Sequence, residues 1–231
     1  MARWIAALAA AVFVCGTASA ATLEEADAGI REAWKKEDLF SAVLRVEAMP
    51  PTGSRRLVVR GEGNVYFQRA EGVERYRNVL RLQFPEPMKA GMAHEAVFNG
   101  ETLFVFNESL GRERGLKPEN ALTRGIVPPG GAQLLDALAA AAELSVLPDE
   151  DIEGRKAFVL QGTARAAEGE APMFERLLAY VDQETGALLR LDIFERAQVK
   201  TATISLAEYD FSPSIDPASF EVTAEETAAI E

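Results

Sequence analysis

The chain has 231 residues, 48% of them hydrophobic, and 36 acidic side chains against 24 basic ones give a net charge of −12. That length can bury a sizeable core without staples, and the acidic balance sets aside nucleic acid and an anionic bilayer surface as partners. One cysteine and one histidine set aside a disulfide framework and an ordinary multi-histidine metal site.

The first 20 residues carry Arg3, an apolar run, and then Ala18, Ser19 and Ala20, the pattern of a secretory signal peptide that is cleaved on export. Bulky Val12, Phe13 and Val14 before Cys15 argue against lipid attachment there. Residues 21–231 are then expected to be one cysteine-free domain, periplasmic, soluble and monomeric. The apolar run at 134–147 is too short to span a bilayer.

Residues 22–37 place Leu23, Ala26, Ile30, Ala33 and Trp34 on one helical stripe, with Thr22 as N-cap and Glu24 and Glu25 in the first turn. A strand follows in which Ala42, Leu44, Val46 and Ala48 share one face, up to the break at Pro50 and Pro51. From 56 to 69 the odd positions Leu57, Val59, Gly61, Gly63, Val65 and Phe67 are apolar or small, and the two glycines predict a bulge or a sharp coil of the sheet. After a turn at Glu71 and Gly72, the next strand sets Tyr76, Leu80, Leu82 and Phe84 against Arg75, Arg77 and Arg81, which reads as a solvated outer face.

His94 has no obvious catalytic partner, and no G-x-S-x-G elbow occurs, so the chain is not expected to be an enzyme or to hold a cofactor or metal. Met88 and Met92 near it read as gap-filling core. Asn99 and Gly100 between apolar runs predict a hairpin with a type I′ turn, with Phe104 and Phe106 facing together. Residues 107–131 are polar and too long for an ordinary connection, hence functional or mobile. A strongly apolar helix is predicted over 132–147, presenting Leu135 and Leu138.

A strand around Phe158 and Leu160 then leads to a three-strand meander over 177–211. In it Leu189, Leu191, Ile204 and Leu206 hold the apolar parity. Many antiparallel strands with one apolar face and two substantial helices give an α+β fold. It is a single curved antiparallel sheet forming an open half-barrel, with the helices covering its concave apolar face. Such an arrangement encloses an apolar cavity and suits a binding module. The cavity is expected to be lined by Leu44, Val46, Leu57, Val59, Val65, Phe67, Leu80, Leu82, Phe104, Phe106, Leu135, Leu138, Leu189, Leu191, Ile204 and Leu206.

The Gly-containing strand ending in Gln68, Arg69 and Ala70, the hairpin 98–106, the strand 158–160, the Val181-Asp182-x-x-Thr185-Gly186 turn and the closing segment 215–220 occur in an order that resembles the LolA family of periplasmic lipoprotein carriers. The resemblance covers nearly the whole chain after the signal peptide. It implies a half-barrel that takes up the acyl chains of a lipoprotein, or another envelope lipid, from an inner-membrane release complex and hands them to an outer-membrane acceptor. It also implies that Arg69 bonds the backbone of a lid and holds the cavity shut. Ala70 stands where the family has proline. The alternative is a periplasmic lipid or signal sensor on the same fold, similar to the RseB family, which would carry a second domain.

Overall fold

The computed structural model describes residues 21–49, 58–85, 91–107, 111–122, 125–165, 174–195 and 199–222. The signal segment, Leu57, Met88 and the acidic tail from residue 223 lie outside the described residues.

Helix α1 (Leu23–Trp34) starts on a capping box: the Glu25 amide donates to Thr22 Oγ1 at 3.2 Å, and the Thr22 amide donates to Glu25 Oε2 at 2.8 Å. Its buried stripe is Ala26, Ile30, Ala33 and Trp34. Strands β1 (Leu39–Ala48), β2 (Val59–Ala70), β3 (Val73–Gln83), β4 (Gly91–Phe98), β5 (Leu103–Asn107) and β6 (Gly111–Leu116) follow as a meander. A 3-10 turn (Pro118–Asn120) and helix α2 (Gly131–Ala141) lead to a second meander. This comprises β7 (Ala142–Ile152), β8 (Arg155–Ala164), β9 (Arg176–Asp182), β10 (Leu188–Glu195) and β11 (Val199–Asp210).

All eleven strands make one open antiparallel sheet in the order β6-β5-β4-β3-β2-β1-β11-β10-β9-β8-β7. The chain therefore starts in the middle of the sheet, runs out to one edge, crosses to the other, and returns to close on β1 through β11. Because β6 and β7 are opposite edges, the connection between them has to traverse the sheet. Its buried residues Ala121, Ile126, Val127, Leu134, Leu135 and Leu138 join the same apolar cluster as the inward residues of the strands, so it traverses the concave face. This explains the long segment after residue 107: part is the edge strand β6, and the rest is the crossover.

Three local expectations need correction. The helix predicted over 132–147 stops at Ala141, and Ala142 turns fully extended (φ −148°, ψ 158°) to begin β7. Residues 142–147 fit a helical period, but Ala142, Leu144 and Val146 also alternate with Glu143 and Ser145. Pairing with Ala164, Gly162 and Leu160 of β8 selects the second period. The Asn99-Gly100 hairpin has a four-residue loop, since Phe98 pairs with Leu103. Only Gly100 has positive φ, and Asn99 Oδ1 instead accepts from the Glu101 and Thr102 amides at 3.1 and 2.9 Å. No bulge interrupts β2, whose register with β1 and β3 is unbroken across both glycines. Gly63 is there because a Cβ would stand 1.8 Å from the Val79 carbonyl oxygen, so the coil of the sheet needs the missing side chain.

The two helices lie together on the concave face, tied by Arg31, which donates to Asp27 at 2.8 Å and Asp136 at 3.1 Å. Trp34 packs its ring 4.5 Å from Phe67 and 5.6 Å from Phe40. A Cβ on Gly131 would sit 2.1 Å from that indole, and Gly131 also has a φ of +59°, so the start of α2 requires glycine twice over. The outer face has its own small apolar cluster of Ala157, Val159, Tyr180 and Leu189.

Candidate functional site

Strand register decides which of the predicted lining residues meet. Phe67 pairs with Phe40 and Tyr76, Val65 with Ala42, and Val59 with Ala48. Leu44 and Val46 pair with Leu206 and Ile204 of β11, and Ile204 with Leu191. Leu80 and Leu82 continue the row beside Gly63 and Gly61. Paired residues share a face, so these predicted side chains stand on the concave side together. Leu135 and Leu138 of α2 are buried in the same cluster.

Phe104, Phe106 and Leu189 lie on the other face. In β5 it is Leu103 and Val105 that point inward, opposite Phe98 and Ala96, while Phe104 pairs with the outward Val97 and Phe106 with Glu95. Every residue from 103 to 106 is apolar, so composition could not fix the parity; pairing with β4 does, setting Leu103 and Val105 opposite the inward Phe98 and Ala96. Leu189 is turned outward by a register shift between Leu188 and Arg190, which leaves Leu188 in the inner cluster and Leu189 in the outer one. On that face the Arg190 guanidinium lies 4.0 Å over the Tyr180 ring.

The inner residues meet at a cavity between the sheet and the crossover. Leu44, Val46, Leu80, Ala96 and Ile204 form its floor, and residues 125–127 form its roof. The space among the lining atoms, about 330 Å³ counting what opens to solvent, is narrow, with room for little more than one water molecule. The cover is thus a short strap, Gly125, Ile126 and Val127, rather than α2 alone. Sequence reading missed the strap because it sits in a polar stretch; the signal was the apolar pair Ile126 and Val127 ahead of Pro128 and Pro129. Two polar side chains also line the cavity, Asn78 and His94. Burial lowers the His94 ring below the ordinary histidine range.

Arg69, on β2, has a side chain 15% exposed and fully engaged with its neighbours. Its guanidinium donates to the carbonyls of Trp34 at 3.0 Å, Lys35 at 3.1 Å and Glu37 at 2.6 Å, and to Glu74 Oε1 at 2.7 Å. These carbonyls end α1, where a helix leaves acceptors unmet and favours a cation. The arginine therefore clasps the end of α1, and none of these bonds goes to α2. A link to α2 exists through Glu74, whose Oε2 accepts from Gln133 at 3.3 Å.

Asp182 and Thr185 of the family-like turn are a structural device. Burial would raise the Asp182 carboxyl, but Arg155 and the Thr185 hydroxyl, at 2.5 Å, outweigh it and hold the group below the ordinary range. The turn docks on the start of α2, the Gly131 amide donating to the Gly186 carbonyl at 3.1 Å. Among the described residues no three His, Cys, Asp or Glu side chains are placed to hold a metal ion, and no helix is long and apolar enough to cross a membrane.

No protein family and no curated protein matches the chain. Solved structures do. Over 85% of its length the chain is similar to an uncharacterized conserved protein from Thermus thermophilus, covering 93% of that chain at 10% identity with a TM-score of 0.48. It is similar over 86% of its length to MucB, at 16% identity and a TM-score of 0.46, and spans 62% of that chain. MucB of Pseudomonas aeruginosa is also solved in complex with MucA. A LolA superfamily protein from Nitrosomonas europaea is similar over 84% of this chain and 96% of its own, at 14% identity and a TM-score of 0.32.

Proposed function

We propose that the protein is a periplasmic carrier that buries the acyl chains of a lipoprotein, or of another envelope lipid, between its concave sheet and the crossover. It works as a monomer, collecting cargo at the inner membrane and passing it to an outer-membrane acceptor. The observation that carries this reading is a largely apolar floor under a short roof. Leu44, Leu80 and Ile204 are far from either sheet edge, yet a strap of three residues and not a packed helix covers them. Each methylene moved from water onto that floor is worth about 0.8 kcal/mol, so a chain of a dozen carbons can displace the strap and still bind. Closing the empty site keeps a large apolar patch out of water.

Arg69 supports the same reading as a fastener. It fixes the end of α1 to the sheet and, through Glu74, the start of α2, so the helices hold their places while the strap between β6 and α2 moves.

Native mass spectrometry of the protein purified from its own periplasm tests the proposal. A lipid or lipoprotein that co-purifies, and that leaves when an acceptor membrane is added, is the expected result. A bound lipid that no acceptor removes would favour a sensor over a carrier, and a protein empty under all conditions would refute both.

A further inference from the structure

The apolar wall of the cavity is interrupted at Asn78, a β3 residue only 6% exposed. Its Nδ2 donates to the Val127 carbonyl of the strap at 2.9 Å. A carbonyl can only accept, so the amide is oriented with Oδ1 turned away from the strap. Among the described residues nothing donates to that oxygen. A buried acceptor without a donor is costly and rare in a folded protein, and here it sits in a site built to take up something else. His94 of β4 lines the same cavity, and its place is diagonal to Asn78, since Leu80 pairs with His94 and Asn78 with Ala96.

We infer that this cavity selects aliphatic chains whose head group donates a hydrogen bond, as an amide N–H or an alcohol O–H does, over chains joined through an ester, with Asn78 Oδ1 as the acceptor. The inference deepens the carrier reading above and rests on it. The open space of about 20 Å³ suits a single water, which needs polar partners, and Asn78 Oδ1 and the His94 ring are the ones present. A ligand that expels such a water gains only if it replaces the bonds, and an ester has no donor with which to replace them. An amide does: its N–H meets Asn78, and its carbonyl can accept from the neutral His94 ring. The apolar floor and the polar spot thus divide the work, the first binding any chain and the second reading how the chain is joined.

The test compares the signal-free protein with three probes of equal chain length: methyl palmitate, N-methylpalmitamide and 1-hexadecanol, each displacing a fluorescent acyl probe. The amide, the alcohol or both should bind about tenfold tighter than the ester, as one buried hydrogen bond implies, and which of them does distinguishes an N–H from an O–H cargo. In Asn78→Leu the ratio should fall to about one. In case that variant does not fold, the side-chain amide signal of Asn78 in the ¹⁵N spectrum of the parent should shift with the donor-bearing probe and not with the ester. Equal affinity for all three probes in the parent, or a preference that survives Asn78→Leu, overturns the inference while leaving the carrier reading in place. Binding of none of them overturns the carrier reading itself.

Discussion

Removing Arg69 would strand the carbonyls of Trp34, Lys35 and Glu37 at the end of α1 and leave Glu74 without its cation. Charged hydrogen bonds of this kind contribute about 1.5 to 3 kcal/mol each and do not add in full, so Arg69→Leu should cost about 2 to 4 kcal/mol in urea unfolding. It should also loosen both helices. In a two-step transfer assay, loading should be retained and release to the acceptor impaired; unchanged behaviour in both steps would reduce Arg69 to a structural clasp. His94 gives a second residue-scale test. Its folded-state pKa is lowered by desolvation, so the unfolded chain takes up the proton first. The linkage is then stability that is present above about pH 6.5 and is lost as pH falls from there towards the lowered value. Thermal melts between pH 7.5 and 5.5 should show a decline for the parent that His94→Leu flattens. Glu37, pushed up by burial, acts in the opposite sense, so the difference between the two proteins and not the slope of either isolates the ring.

Among the elements, β2 and the crossover set what the rest can do. Gly63→Ala drives a methyl into the Val79 carbonyl of the neighbouring strand and should destabilise by about 3 kcal/mol or more, because backbone cannot step aside. Gly72→Ala meets nothing within 4 Å and carries only the strain of a φ of +79°, about 1 to 2 kcal/mol. Equilibrium unfolding of both variants checks the order. The strands β1, β2, β3 and β11 were legible in the sequence because alternation there is nearly regular, with Val43, Asn78 and Val79 as the exceptions. Where both parities are apolar, as at residues 103–106 and 188–189, pattern carries no information. The inward residues of the paired strand and a register shift, which are tertiary facts, decide the face. The end of α2 was illegible for a related reason, since residues 142–147 satisfy two periods at once. Arg69 was singled out by the family resemblance alone, and which helix it clasps depends on where β2 ends relative to α1. The strap could not be seen at all as a roof until the sheet order put β6 and β7 at opposite edges.

At the scale of the molecule, one sheet carries two apolar surfaces of different character. The inner one extends from β5 to β7 across the sheet and is covered by α1 and by the crossover that bridges the two edges. The outer one is a compact patch on β8, β9 and β10 sealed by its own side chains, with Arg190 over Tyr180 and the Tyr209 hydroxyl donating to the Leu188 carbonyl. On the carrier reading, only the inner surface opens to admit a chain, because its cover lies outside the sheet. A fatty acid bearing a nitroxide on its chain, added to methyl-labelled protein, reads it directly by paramagnetic broadening. The account predicts that the methyl signals of Leu44, Leu80, Ile126 and Ile204 broaden while those of Val159 and Leu189 stay sharp; broadening of the second set with the first unaffected would contradict it.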